Sequence, residues 1–247
     1  MNIMAALALG IDVGGSTIKG GVVDTAAGRL QGELVSVATP QPAAPEPVMQ
    51  AVAALVAAMP TTEAAGVAFP SVVKNGKART AAHIDPSWID VDGAALAARA
   101  LRRRTVFLND ADAAGLAEMR WGAGRGEKGV VIMLTFGTGI GTALFVNGTL
   151  FPNTELGHLE LNGMDAEEWA SARVRTQLGL DWAAWIARVN AYLKKMHALF
   201  WPDLFILGGA VSERFTEFAP HLTSPAQMRR AMFAGQAGVI GAALAAA

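Results

Sequence analysis

Apolar and polar positions fall into short blocks along the chain, and their spacing predicts strands and helices in turn. Residues 7–13 form an apolar run that takes in Asp12 and then meets Gly14-Gly15-Ser16-Thr17. A second apolar stretch, 18–23, stops at Asp24 before the turn-like Ala26-Ala27-Gly28. This is strand, tight turn, strand, turn, strand. The same pattern returns in mid-chain: 130–136 is apolar, Gly137-Thr138-Gly139-Ile140-Gly141 turns, 143–146 is apolar, and Asn147-Gly148 turns again. Gly14 corresponds to Gly137 and Asp24 to Asn147, both 123 residues apart, which is half the chain. Shared turn chemistry at that spacing predicts a duplicated α/β lobe.

Between the hairpins the elements alternate. Pro40, Pro42, Pro45 and Pro47 stiffen the entry to an alanine-rich helix at 48–59, and 65–69 is a short buried strand. A helix at 93–101 precedes Arg102-Arg103-Arg104 and a strand at 105–108, which runs into Asn109-Asp110-Ala111-Asp112. A helix at 113–121 follows, then a loop at 122–129. Further on, 165–178 and 181–200 read as helices, 204–207 as a buried strand, and Gly208-Gly209 opens the next helix. A small-residue helix at 238–247 ends the sequence. Alternating strands and helices give an α/β protein.

Composition narrows the class. The 247 residues are 52% hydrophobic and 17% charged, so a core is plentiful and disorder is excluded for most of the chain. Twenty Lys+Arg against 21 Asp+Glu leave a net charge of −1, which removes bulk attraction to nucleic acid. The absence of cysteine excludes disulfides, thiolate zinc sites and cysteine nucleophiles, and fits a reducing compartment. The apolar N-terminus has no basic flank and meets Asp12 long before ~18 apolar residues accumulate, so no membrane span or signal peptide is expected. A soluble cytoplasmic protein is the expectation.

Four motifs can carry chemistry. In Asp12-Val13-Gly14-Gly15-Ser16-Thr17-Ile18-Lys19, glycines let backbone amides approach an oxyanion, the hydroxyls of Ser16 and Thr17 add donors, and Asp12 can hold a hydrated cation such as Mg²⁺. The plain alternative is a hairpin in which glycine serves only positive φ. The loop around Thr138 and Gly139 is a second of the same kind, and two facing loops could clamp a polyphosphate chain. Asp110, where a strand gives way to a helix, can take a proton from a hydroxyl that attacks a phosphoryl group, and Asn109 can bond a neighbouring hydroxyl. The alternative there is an N-cap, a role that suits Asp112 better than Asp110. Glu155, His158 and Glu160 flank a glycine and suit vicinal sugar hydroxyls; a metal site at His158 is the competing reading. Gly208 and Gly209 could admit a base or a phosphate.

Together these segments resemble the ROK family of sugar kinases in the actin-like ATPase superfamily, and most of all its polyphosphate-using glucokinase and glucomannokinase branch. The resemblance runs nearly end to end. It implies two actin-like (ribonuclease H-like) lobes, each a mixed five-stranded sheet flanked by helices, with a cleft between: a small α/β lobe at 1–108, a larger one at 109–235, and a C-terminal helix, about 236–247, packed on the first. It also implies that Asp110 is the general base on the sugar 6-hydroxyl, that Asn109, Glu155, His158 and Glu160 hold the sugar with Ser71 nearby, and that Asp12, Gly14, Gly15, Ser16, Thr17, Lys19, Thr138, Gly139, Gly208 and Gly209 handle the donor, with Mg²⁺ at Asp12. The implied function is a hexokinase-type phosphotransferase making glucose 6-phosphate from glucose, and mannose as a further candidate, with polyphosphate, ATP or both. A homodimer is usual in the family.

Three departures stand out. Many ROK proteins bind zinc through cysteines just after the Gly-His pair; this chain has none, matching the zinc-free branch. Ser71 and His83 stand where glycine and asparagine are expected, and the basic stretch 227–233 differs from the branch pattern. Candidate basic residues for a polyphosphate track are Lys19, Arg102, Arg103, Arg104, Arg120, Arg125 and Lys128. The rivals are an ATP-only glucokinase, a kinase of another hexose, and a non-catalytic sugar-binding regulator; for the last, no helix-turn-helix is expected in the few residues before Leu7.

Overall fold

A computed structural model of the chain describes residues 7–60 and 62–247, so the reading of 1–6 lies outside the described residues. Two compact units form: Met1–Trp121 with Gln236–Ala247, and Gly122–Gly235.

In the first unit, β1 (Leu7–Val13) and β2 (Thr17–Asp24) make the expected hairpin, β3 (Arg29–Leu30) and β4 (Val35–Ala38) add to β2, and α1 (Pro45–Val56) begins with Pro45, whose missing N–H costs nothing in a first turn. After it come β5 (Ala64–Phe69), the small hairpin β6 (Val73–Lys74) and β7 (Lys77–Ala78), α2 (Gly93–Leu101), β8 (Arg104–Asn109) and α3 (Asp110–Trp121). The sheet runs β3-β2-β1-β5-β8, antiparallel at the hairpin and parallel from β1 to β8, with β4 as a sixth strand. One face packs against α1 and α2 through Val48, Val52, Leu96 and an aromatic group of Phe69, Trp88 and Phe107.

The second unit repeats the design. It contains β9 (Val130–Phe136), β10 (Ile140–Val146), β11 (Thr149–Phe151), the hairpin β12 (Glu160–Leu161) and β13 (Met164–Asp165), α4 (Ala166–Ala170), α5 (Ala172–Gln177), α6 (Trp182–Phe200), β14 (Leu204–Gly208), α7 (Phe215–Phe218) and β15 (Gln227–Arg230). Its sheet order, β11-β10-β9-β14-β15, matches β3-β2-β1-β5-β8 strand for strand, with the same hairpin and the same parallel run. The core is built on Phe136 and Phe218 with Trp185 and Tyr192 of α6.

The last helix, α8 (Ala237–Ala246), belongs to the first unit and packs on β1, β5 and α3. Gly10 and Gly66 are paired on neighbouring strands; a Cβ at either would lie 1.9 Å from the Val239 carbonyl oxygen and 1.8 Å from that of Ala242. Gly241 on the helix meets the Ala113 carbonyl oxygen at 1.6 Å from a Cβ position. These glycines are there for backbone contact, which is why a helix of alanines and glycines closes the chain.

Three sequence expectations change. The domain boundary lies at Trp121, not Leu108, because α3 packs against α8 within the first unit. The helix read as starting at Ala113 starts at Asp110, because Asn109 caps it: Asn109 Oδ1 accepts from Asp112 N at 2.9 Å. The helix read at 165–178 is two, broken at Ser171, whose extended backbone and Oγ, accepting from Val174 N at 3.3 Å, restart it as α5.

Candidate active site

In the first unit, three parallel strands end side by side, with Asp12 paired to Ala68 and Phe69 to Asn109. Their carboxyl ends therefore gather Asp12, the 14–17 loop, Ser71, Asn109 and Asp110. Such ends are where ligands bind in open α/β sheets.

The loop is tied from outside by its carbonyls. Thr39 Oγ1 donates to Gly14 O at 2.6 Å, Thr39 N to Ser16 O at 3.0 Å, and Gln41 Nε2 to Gly15 O at 3.1 Å, while Gly14 N closes on Thr17 O at 3.0 Å. The amides of Gly15 and Ser16 donate to no protein acceptor among the described residues. Neither Gly14 nor Gly15 has positive φ, so the plain turn explanation fails. Gly15 is there because a Cβ would lie 2.6 Å from the His83 carbonyl oxygen.

Asp12 lies across the hairpin from Lys19. The residue is half-buried, and the protein packed around its carboxyl pushes the pKa up by desolvation, while the Lys19 ammonium pulls it part of the way back. Gly238 of α8 lies against it, with a Cβ position 2.7 Å from the carboxyl carbon. It accepts no hydrogen bond among the described residues. A desolvated carboxylate whose charge is under-compensated fits one ligand of Mg²⁺, which takes few protein ligands and keeps its waters. Among the described residues no group of three or more His, Asp or Glu is gathered as a metal cage.

Asp110 opens α3, and its Oδ1 accepts from Ala111 N at 2.8 Å. Asn109 is the cap that the sequence reading gave to Asp112, and its Nδ2 donates to Ser71 O at 3.1 Å, leaving one N–H of the amide for a ligand. Ser71 spends its hydroxyl on bonds within the protein. Its hydroxyl, buried, donates to Val72 O at 2.9 Å and accepts from Arg79 N and Thr80 N at 3.2 Å, so it supports Asn109 through its backbone alone. The arginine triplet is also reassigned. It sits at the amino end of β8, the far end from Asp110, where Arg103 donates to Leu101 O and Thr62 Oγ1 and Arg104 to Ala246 O.

The second unit presents the matching loop. Gly137 N closes on Gly139 O at 3.0 Å, and the amides of Thr138 and Gly139 donate to no protein acceptor among the described residues. Gly137 has neither positive φ nor any atom within 4 Å of its Cβ position, so that side of the loop is open. Gly208 pairs with Thr135, and Gly209, at φ 79°, turns the chain with its α-carbon against the Phe136 backbone; both expected donor glycines therefore lie beside this loop.

The 155–160 segment is fastened beside the same loop. A Cβ on Gly157 would lie 2.2 Å from Ile140 O, Ile140 N donates to Glu167 Oε2 at 3.1 Å, and Tyr192 Oη donates to Leu156 O at 3.0 Å. Burial pushes the Tyr192 phenol pKa far up, so it stays a donor. Glu155 and His158 come within 3.8 Å, and Glu160 follows on β12. Burial alone lowers the His158 pKa, but its hydrogen bond to Asp165 and the charges of Glu167, Asp165 and Glu155 outweigh that and raise it. Asp165 and Glu167 were missed in the sequence; the Asn162-Gly163 turn, with φ of 56° and 80°, was the available signal that 165 folds back beside 160.

Two sheets of one topology, each ending in an amide loop, with carboxylates at the strand ends, define a protein of the actin-like type. The ROK family model matches residues 8–174, and the chain belongs to that family. A polyphosphate glucokinase of Mycobacterium tuberculosis H37Rv is 45% identical over 241 residues, covering 96% of this chain and 89% of that protein. Among solved structures, an inorganic polyphosphate/ATP-glucomannokinase from Arthrobacter sp. strain KM superposes with a TM-score of 0.94 at 46% identity, over 97% of this chain and 98% of that one. A ROK family glucokinase from Streptomyces griseus, in complex with glucose and AMPPNP, gives a TM-score of 0.83 at 25% identity, over 97% and 99% of the two chains. No helix among the described residues is long and apolar enough to cross a membrane.

Proposed function

We propose that this protein is a hexokinase-type phosphotransferase that moves a phosphoryl group from inorganic polyphosphate or ATP to the 6-hydroxyl of glucose, with mannose as a further acceptor. The observation that carries the reading is the pair of matched loops, each with two successive backbone amides unbonded to protein, Gly15 with Ser16 and Thr138 with Gly139. Successive amides of this kind bind phosphate oxygens. The polyphosphate glucokinase and glucomannokinase relatives support the choice of donor and sugar.

In this reading Asp110 takes the proton of the 6-hydroxyl as that oxygen bonds to the terminal phosphorus, and the bond to the leaving ADP or shortened polyphosphate breaks. Asn109, Glu155, His158 and Glu160 orient the sugar; Lys19 and the amides of both loops hold the donor, beside Gly208 and Gly209. Asp12 would hold Mg²⁺, which supplies charge neutralisation at the donor when bound. By family likeness the working form is a cytoplasmic homodimer.

The test is glucose phosphorylation with polyphosphate and with ATP in parallel, then with mannose. Glucose 6-phosphate formed from either donor is expected; no turnover of any hexose with either donor would refute the reading. Turnover with ATP alone would replace polyphosphate in it.

A further inference from the structure

Asp165 stands at the N-cap position of α4 with extended backbone, yet its carboxylate caps nothing. Aspartate is favoured at that position because its oxygen takes up a free helix N–H. Here Oδ2 instead lies 2.8 Å from His158 Nδ1. An ionised carboxylate only accepts, so Nδ1 carries the hydrogen, and Nε2 is the nitrogen left to work. Nε2 lies 3.8 Å from Glu155 Oε2, too far for a hydrogen bond and a span that a ligand hydroxyl can bridge.

The rest of the segment fixes the ring from the other side. The β12–β13 hairpin sets Asp165 opposite Glu160, and its two-residue turn leaves little freedom in where 165 lands. Gly157 is packed on Ile140 O, Leu156 O is held by Tyr192, and Leu156 N donates to Thr142 Oγ1 at 3.1 Å. With Leu156 and Gly157 fixed, the χ angles of His158 are the freedom that remains, and the Asp165 contact removes it.

We propose that Asp165 is a positioning residue for the sugar: it fixes the tautomer and ring orientation of His158 so that Nε2 faces the hexose together with Glu155. This rests on the reading that His158 holds the hexose. The cost of losing a charge-assisted hydrogen bond of this kind translates to roughly 10-fold or more in affinity.

The experiment measures glucose affinity by calorimetry and steady-state kinetics for the wild type, Asp165→Ala, Asp165→Asn, His158→Ala and the double variant His158→Ala/Asp165→Ala, with ¹⁵N NMR of the imidazole as the second readout. Asp165→Ala should raise the Kd and KM for glucose roughly 10-fold or more while kcat and donor KM stay near wild type. Asp165→Asn, whose amide oxygen still accepts, should recover much of that loss. The double variant should bind glucose no worse than His158→Ala, and NMR should show Nδ1–H in the wild type and a tautomer mixture in Asp165→Ala. Wild-type glucose affinity in Asp165→Ala, or losses that add in the double variant, would overturn the proposal. If Asp165→Ala does not fold, Asp165→Leu, which fills similar space and accepts no hydrogen bond, takes its place: a His158 tautomer that ignores this exchange and a glucose KM equal to wild type count against the proposal. Wild-type glucose affinity in His158→Ala would instead sink the sugar reading on which the proposal stands.

Discussion

Gly137→Ala separates a loop built to fold from a loop built to bind. Gly137 does not use the left-handed region, its amide and carbonyl are already engaged with Gly139 O and Arg173 N at 3.0 and 3.1 Å, and its Cβ position meets nothing within 4 Å. Alanine is therefore compatible with the native turn. By narrowing the unfolded ensemble it should stabilise by about 0.4–1 kcal/mol, or about 1–4 °C in Tm for a chain of this size. The same methyl occupies the open side of a loop whose next two amides are unbonded, and displacing a phosphate oxygen from one of them forfeits roughly 1.5–3 kcal/mol. That is about 10- to 150-fold in kcat/KM for the donor. The assay is a coupled glucose 6-phosphate measurement with polyphosphate or ATP varied, alongside thermal unfolding by circular dichroism. A donor kcat/KM equal to wild type would refute the assignment of the loop, and a Tm lowered by several degrees would refute the account of the turn.

Other expectations follow from single contacts. Gly241→Ala drives a methyl into the Ala113 carbonyl oxygen and should cost about 3 kcal/mol or more, read as a Tm lower by about 6–12 °C. Asp110→Asn should fold, bind glucose and lose about 10²–10⁴ in kcat, checked by kinetics beside calorimetry. Asp12→Asn removes a charge whose pKa burial has pushed up, so its stability above pH ~4 should equal or exceed wild type while activity falls, and the Tm increment that Mg²⁺ gives the wild type should disappear. His158 has a raised pKa, so its charged form stabilises the fold below the unfolded value of about 6.5, and that contribution is lost as pH rises through the folded value. His158→Gln should therefore lower Tm relative to wild type most at acidic pH, by a small amount because the ring is 39% exposed, and the difference should close in alkali.

What was legible in the sequence was whatever local chemistry dictates. The glycine hairpins announced themselves because turn residues sat between apolar runs of strand length, and their shared 123-residue offset carried the duplication. The place of Asp110 at a strand-to-helix junction was legible because the polar Asn109-Asp110 pair directly follows an apolar strand. The roles of Asn109 and Ser71 were not, since several residues in each stretch could cap or bond, and only the packing of β5 beside β8 chooses among them. Arg103 and Arg104 look like a phosphate track by composition, and it is the direction of β8 that puts them at its other end. Asp165 was hidden because its partner is seven residues back across a turn, and a sequence scan for helix caps claims it first.

The duplication also shows where the two halves part company. The offset that maps Gly14 onto Gly137 maps Asp12 onto Thr135 and Lys19 onto Thr142, so the charges beside the first loop have hydroxyls in their places beside the second. Thr142 is spent on structure: its Oγ1 donates to Thr154 O, accepts from Leu156 N at 3.1 Å, and so fastens the Glu155 segment to β10. The position that is Lys19 in one unit is thus Thr142 in the other, where it holds the Glu155 segment. The stretch 152–178 brings Glu155, Glu160, Asp165 and Glu167 to the second unit, and α3 brings Asp110 to the first. Common loops with unlike surroundings suit the proposed transfer reaction: each unit has backbone amides for phosphate oxygens, while the proposal assigns cation and base to residues of the first unit and sugar recognition mainly to residues of the second. The division predicts that exchanging loop residues perturbs the donor in either unit, while exchanging acids perturbs catalysis in the first and sugar affinity in the second. A kinetic split along that line, read as donor KM, kcat and glucose KM, distinguishes this arrangement from one in which the two units carry the same roles.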